Sequence, residues 1–518
     1  MLTNKLQYLL LHFVLAFSCP LLATNYYVSP GGSGSGTGTI TDPINFVTGL
    51  AKSLIGGDSL ILRGGIYSYN STQTISKSGT SAKQIHIIAY NNELPIFDFR
   101  TQVYSSNNAG IKLSGNYVHV KGITIQGAGD NGMLVSGSNN LIEFCNFRWN
   151  CDSGLQLKTG SNNLVINCDA YENFDYETGG TSDPDYGGNA DGFADKQYTN
   201  SGTNTYKYCR AWKNSDDGWD GYEKIGNTVY DSCFCYANGP ASFDMTDNIR
   251  FKTDSAAWLS KFKNSSGRYV VPNSGNGNGF KLGGNYTANN ATLYNCVAVG
   301  NTVKGFDQNN NNGTMTLYNC TGYLNQYNYG FSNNSYGTLI IKNSASLSST
   351  KSNSFNAKTV TQSYNSWNLG FSCTAADFVS LDVSQIILPR KLNGALPDIT
   401  LLHLNPTSSM IDKGTNVGIK FAGSMPDLGA FEYGLTTATH NIIKSPITTY
   451  YNQYEKTIII NDYVQSIEIY NINGLKIFSL GNCGTNTAIP CANWSKGVYL
   501  VKLLTSENNT YASKILLN

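Results

Sequence analysis

Six times between residues 132 and 320 the chain repeats one short phrase: a glycine, an apolar and usually aromatic residue, then a cysteine 13 to 17 positions after the glycine. The pairs are Gly132 and Cys145, Gly154 and Cys168, Gly192 and Cys209, Gly218 and Cys233, Gly279 and Cys296, Gly305 and Cys320. From each Cys to the next Gly the interval is 9 after Cys145, Cys209 and Cys296 and 10 after Cys320, but it widens to 24 after Cys168 and 46 after Cys233. Units this short cannot bury a core alone, so they must stack. The two wide intervals are insertions on one side of the stack, where a solenoid builds its binding face.

The runs between turns are strand-like: Leu164-Val-Ile-Asn-Cys168, Ala291-Thr-Leu-Tyr-Asn-Cys296, Met315-Thr-Leu-Tyr-Asn-Cys320. No helical period of 3.6 and no leucine framework lies between them, which favours a parallel β-helix over a leucine-rich solenoid. Equivalent residues of successive coils would then lie about 4.8 Å apart. Phe193, Trp219, Phe280, Phe306 and Phe331, each following its glycine, are expected to form an inward aromatic ladder, and the cysteines a second one. Side chains alternate along a strand, so the residue two past the glycine faces out. The residue before the glycine would face inward on a straight strand, and a bend at a glycine with positive φ is expected to turn it out.

That geometry matters because of what occupies those positions. Asp191 and Asp217 stand immediately before their glycines, with Asp216 beside Asp217, while Asp220 and Lys281 stand two after theirs. Stacking gathers four carboxylates beside one lysine. Several carboxylates suit a hard cation such as Ca2+. All five histidines lie elsewhere in sequence, which weakens zinc or copper, and no EF-hand loop is present. A cation bridging these groups to a uronic acid would acidify the sugar's C5 proton, and Lys281, made less basic by a neighbouring dication, would remove it. The reaction expected of such a site is a β-elimination. Lys196 and Lys213 read as solvated turn lysines, and Asp residues in solenoid turns commonly bond their own backbone.

The 518-residue chain has a net charge of +1 and only 13% charged residues, which gives no electrostatic case for nucleic acid. Residues 1–23, with Lys5 ahead of the apolar run Leu9 to Phe17, read as a secretory signal peptide, Cys19 offering a lipidated alternative. Residues 24–434 form the β-helix, with a capping helix expected over 44–55 and a closing segment at Pro426–Glu432. A linker follows at 435–450. Residues 451–518 read as a small β-sandwich with turns at Asn473-Gly474 and Lys496-Gly497. The fold class is therefore all-β, a parallel β-helix followed by a C-terminal sandwich. Of twelve cysteines, the six in the repeat read as buried thiols, and Cys483 with Cys491 is the one pair considered for a bridge.

Asp191-Gly-Phe-Ala-Asp-Lys196, the block Cys209 to Asp220 and Gly277-Asn-Gly-Phe-Lys281 together resemble polysaccharide lyase family 9 over roughly residues 25–435. The resemblance implies a right-handed β-helix and a pectate or rhamnogalacturonan lyase. It also implies a calcium site at Asp191, Asp216, Asp217 and Asp220 with Lys281 as base. Arg210 and Arg250 are candidates for binding substrate carboxylates. The C-terminal stretch, including Gln465-Ser-Ile-Glu-Ile-Tyr470 and Trp494 to Lys502, resembles the sorting domain of the type IX secretion system, which implies export to the cell surface or beyond. The protein is expected to act as a monomer on an acidic plant polysaccharide. Rival readings are a hydrolase using Asp216 and Asp217 as acid and base, and a non-catalytic pectin-binding protein.

Overall fold

Short apolar strands separated by left-handed turn residues leave the chain one way to bury itself, coil upon coil. The computed structural model of the chain describes residues 23–177, 186–198, 202–254, 256–391, 393–435, 449–452, 456–460, 464–471, 475–483, 487–504 and 510–517. Residues 1–22 of the expected signal peptide, including Cys19, most of the expected linker and the Asn473-Gly474 turn lie outside the described residues. The chain divides into two compact units after Gly434.

In the first unit three parallel sheets run the length of the coil, one of 12 strands and two of 10. Sheet I is the 12-stranded one. Sheet II contains Phe193–Asp195, Trp219–Asp220 and Phe280–Lys281, and sheet III contains Asp169–Tyr171 and Arg210–Trp212. Every neighbouring pair within them is parallel, and crossover connections between parallel strands are right-handed.

The repeat phrase has a direct structural meaning. The residue before each repeat cysteine, from Phe144 to Asn319, holds φ between 52° and 54°, so the corner between sheets I and III is a left-handed residue. Asn tolerates that region best among ordinary residues, which explains Asn167, Asn295 and Asn319 there. Five residues past each cysteine stands a buried asparagine, and Asn150, Asn173, Asn214, Asn238, Asn301 and Asn325 form a ladder, ending on Asn328, with amide bonds of 2.9–3.0 Å.

That ladder also explains the repeat glycine, and here the sequence expectation is corrected. Gly192, Gly218 and Gly279 do not hold positive φ. A Cβ on Gly192 would lie 2.7 Å from Gly218 O and 2.8 Å from Asn214 Nδ2, so the position is glycine because the coils leave no room. The strands begin only after the glycine, so strict alternation does not reach the residue before it.

The inward column on sheet II stacks Phe193, Trp219, Phe280 and Phe306, with centroids 4.6–5.3 Å apart. Its next member is Tyr329 rather than the expected Phe331: Phe306 pairs with Tyr329, and Phe331 pairs one coil later with Phe355. The register slips by two residues, which preserves the inward face. The six repeat cysteines are buried and free. At the N-terminal end the cap helix is shorter than expected, Phe46–Ala51, started by Asn45 accepting from Thr48 N. Phe46 packs edge-on against Phe97 and closes the coil interior.

Residues 371–391 and 393–431 cover part of the outer face of sheet III through an apolar cluster that includes Phe378, Ile386, Leu401 and Leu428. The second insertion carries the helices Ile249–Thr253 and Ala256–Phe262 and an antiparallel pair, Ser242–Asp244 with Val270–Pro272.

The second unit has an antiparallel sheet of three strands and one of four, around a core of Ile458, Ile467, Val501 and Ile515. Gly497 opens a strand instead of completing a turn. Cys483 and Cys491 are not bridged: both are free, and their thiols donate to different carbonyls, Leu480 O and Lys456 O. They serve as small apolar core residues.

Candidate active site

Sheet II places the five candidate residues together. Two columns frame them. Ser153, Asp191, Asp217 and Asn278 each precede a glycine and are tied coil to coil, their carbonyls accepting from Gly132, Gly154, Gly192 and Gly218 N. Ala194, Asp220, Lys281 and Asp307 pair in register on the outer face.

Lys281 Nζ lies 3.0 Å from Asp217 Oδ2 and 3.3 Å from Asp220 Oδ1. Carboxylate oxygens of Asp191, Asp216 and Asp217, all buried, approach within 4.8 Å of one another. Asp220 is held beside this trio by two lysines, since Lys196 Nζ lies 2.9 Å from its Oδ2 and 3.7 Å from Asp191 Oδ2. Neighbouring donors fix each carboxylate. Ser153 Oγ donates to Asp191 (3.0 Å), Asn278 N and Nδ2 to Asp217 (2.8 and 2.9 Å), Tyr222 N to Asp220 (2.9 Å) and Asn276 N to Asp216.

Four carboxylates thus face two ammonium groups in a buried site. Burial, then repulsion from Asp220, pushes the Asp191 carboxyl well above its ordinary range. Burial and Asp217 do the same to Asp216. Burial also raises Asp220, but Lys196 and Lys281 outweigh it and hold that group at about 2. Burial would lower Lys281, yet Asp217 and Asp220 outweigh it and keep the amine charged well past its usual value.

The trio fits a hard cation. Asp217 Oδ2 is buried and accepts no aligned hydrogen bond, only the ion-pair contact with Lys281. Carboxylate oxygens, one of them without an aligned donor, are among the ligands that a hard cation such as Ca2+ takes, with carbonyls and waters completing its shell.

The two arginines are elsewhere. Arg210 is buried on sheet III, paired with Asp169 at 2.7 Å and donating to Ile386 O and Leu388 O. Arg250 is buried in the insertion, paired with Glu177 at 2.8 Å and donating to Gln102 O and Gly127 O. Trp219 points into the coil, and Trp212 stacks on Tyr171 at 4.3 Å. Sequence reasoning missed Lys196, Ser153 and Asn278. Ser153 and Asn278 were findable, because both precede repeat glycines as Asp191 and Asp217 do. Lys196 gave no such signal, since only the fold brings it across to Asp220.

The outer face of one sheet of this parallel β-helix carries the carboxylate–lysine cluster, and the relatives of the chain make it a polysaccharide lyase. Residues 26–353 match the family described as Pel9A-like, right handed beta helix region, and the chain belongs to that family. Residues 450–518 match a secretion system C-terminal sorting domain, the type IX signal that directs the protein to the cell surface or beyond. Pectate lyase L of Dickeya chrysanthemi is 37% identical over 421 residues, spanning 79% of this chain and 90% of the relative. The crystal structure of pectate lyase Pel9A superposes with a TM-score of 0.65 at 35% identity, covering 79% of this chain and 96% of that one. A rhamnogalacturonan lyase shares the fold at 24% identity and a TM-score of 0.62, with 74% and 97% covered.

Proposed function

We propose that the protein is a secreted, Ca2+-dependent pectate lyase that cleaves polygalacturonate by β-elimination. The carrying observation is the position of Lys281, one coil beyond Asp220 on the same outward column and 3.0 Å from Asp217. Asp191, Asp216, Asp217 and Asp220 would hold the cation, which when bound supplies positive charge that stabilises the enolate-like transition state. Lys281, freed from its carboxylate partners, takes the C5 proton at its Nζ and is the base. Free lysine titrates near 10.4, so the reaction is expected to favour alkaline pH. Lys196 stays charged and orients Asp220 and Asp191.

Arg210 and Arg250 are assigned structural roles, because each guanidinium is buried and spends its donors on the chain's own oxygens. The relatives named pectate lyase at 35–37% identity favour polygalacturonate over rhamnogalacturonan. The test is ultraviolet absorbance of the product on polygalacturonate with and without chelator. Elimination leaves a conjugated double bond, whereas hydrolysis and simple binding leave none. Calcium-dependent absorbance that disappears in Lys281→Ala supports the reading, and equal product from the variant overturns it.

A further inference from the structure

Both insertions leave the coil beside the carboxylate trio, and the hydrogen bonds between coils mark where. Ser215 N and Asp216 N, adjacent in one coil, bond Asn173 O and Ala190 O at 3.0 Å, so the first insertion departs and rejoins between those two residues. Thr302 N and Val303 N likewise bond Asn238 O and Gly277 O, which brackets the second. Ala190 directly precedes Asp191, and Ser215 directly precedes Asp216. Where these necks sit therefore decides where two of the carboxylates stand.

Each neck is closed by one polar side chain. Asp175, 1% exposed, stands at the exit of the first insertion. Its Oδ2 accepts from Asn189 N (3.1 Å) and Asn189 Nδ2 (3.0 Å), and its Oδ1 from Ala190 N (3.3 Å) and Ser215 Oγ (3.0 Å). One carboxylate thus joins the two ends of the insertion and ties both to the next coil. At the second neck Asn273 Nδ2 donates to Pro240 O and to Ser215 O, both at 2.8 Å. A Cβ on Gly275 would lie 1.9 Å from the same Ser215 O, so the returning chain passes there only as glycine. The following residue, Asn276, donates its N–H to Asp216 Oδ1. Ser215 is fully buried and held from both insertions, its hydroxyl by Asp175 and its carbonyl by Asn273.

We propose that Asp175 and Asn273 are positioning residues for the cation, holding Asp191 and Asp216 at ligand spacing through Ala190 and Ser215. The proposal rests on the reading of the carboxylate trio as Ca2+ ligands and not on the identity of the polysaccharide. Asp191, Asp216 and Asp217 repel one another before a cation arrives, so their spacing must be imposed by bonds to the backbone that carries them. Bonds to an ionised carboxylate are roughly twice as strong as neutral ones, which makes Asp175 the firmer of the two clasps. Partners that orient metal ligands in this way are typically worth about 10- to 100-fold in metal affinity.

Calorimetric titration of Ca2+ into the full chain without substrate tests it, in the parent, Asp175→Asn and Asn273→Ala. Asp175→Asn keeps the side-chain shape but sets an amide N–H2 against groups that are themselves donors. Its Ca2+ affinity is expected to fall about 10- to 100-fold, with a smaller fall in Asn273→Ala. On polygalacturonate, raising Ca2+ by the same factor should restore Asp175→Asn turnover to about the parent level. Asp169→Asn, destabilised on sheet III, should bind Ca2+ as the parent does, which separates positioning from a general loss of stability. Ser215→Ala removes only the hydroxyl that Asp175 holds, and it carries the same test if Asp175→Asn does not fold. Parental Ca2+ affinity in the folded variants, an equal fall in Asp169→Asn, or turnover that Ca2+ does not restore would each overturn the positioning role. A parent that binds Ca2+ but makes no unsaturated product would instead overturn the lyase reading and leave the affinity comparison standing.

Discussion

Two buried charge clusters lie in neighbouring coils and are built on opposite rules. On sheet III, one carboxylate, Asp169, is gripped by two guanidinium groups, Arg210 at 2.7 Å and Arg390 at 2.6 Å. The excess positive charge is absorbed by carbonyls of Ile386, Leu388, Gly394, Cys168 and Tyr208. On sheet II, four carboxylates share two ammonium groups and leave Asp217 Oδ2 without an aligned donor. The first cluster uses planar forks that satisfy fixed geometry, the second mobile point charges that can be displaced. A satisfied cluster holds parts together, and an unsatisfied one waits for a ligand. Arg210, by residue type a fair candidate for binding uronates, belongs to the first kind.

The widest separation between them should come from removing one member of each. Lys281→Ala is expected to lower turnover by about 10²- to 10⁴-fold, the range for a lost general base, while the Ca2+-loaded protein keeps its fold. Asp169→Asn should do the reverse. It strands two buried guanidinium groups, at a cost of about 3 to 5 kcal/mol, measurable by chemical denaturation, while turnover per folded molecule stays at the parent level. A stable but inactive Asp169→Asn protein would collapse the distinction.

The comparison also shows what the sequence could and could not reveal. Everything periodic was readable: the coil, the inward aromatic column and the gathering of Asp191, Asp216, Asp217, Asp220 and Lys281, because a fixed interval becomes vertical register once strands stack. What failed was local or distant. The two-residue slip that puts Tyr329 under Phe306 leaves alternation intact, so no pattern marks it. The burial of Arg210 depends on Ile386, Leu388 and Arg390, more than 170 positions away. Lys196 looked like a solvated turn residue until the fold set it against Asp220.

A smaller effect sharpens the contrast through ligand linkage. Ca2+ that binds only the folded state should raise stability by about 2.7 kcal/mol at a hundred times its dissociation constant. Thermal melts with and without chelator should show this gain in the parent and lose it in Asp217→Asn. Asp169→Asn, although destabilised, should keep the gain.

The smallest expected effect is one of sign. Burial raises the Asp169 carboxyl, but Arg390 and Arg210 outweigh it and depress that group, so the stability it contributes is present above the unfolded carboxyl range and lost as pH falls through its lower folded value. Asp191 and Asp216 are displaced the other way, first by burial and then by their acidic neighbours. Between the unfolded carboxyl range and their raised folded values, the native state binds more protons than the unfolded one. Their contribution to stability therefore falls as pH rises through that window. In calcium-free buffer, denaturation from mildly acidic to alkaline pH should show this decline in the parent and a flatter profile in Asp216→Asn. Saturating Ca2+ should flatten the parent's profile as well, because a bound dication offsets the repulsion that created the slope. An unchanged slope in Asp216→Asn would mean that the sheet II carboxylates are as well satisfied as Asp169, and the division between a structural and a ligand-seeking cluster would fail.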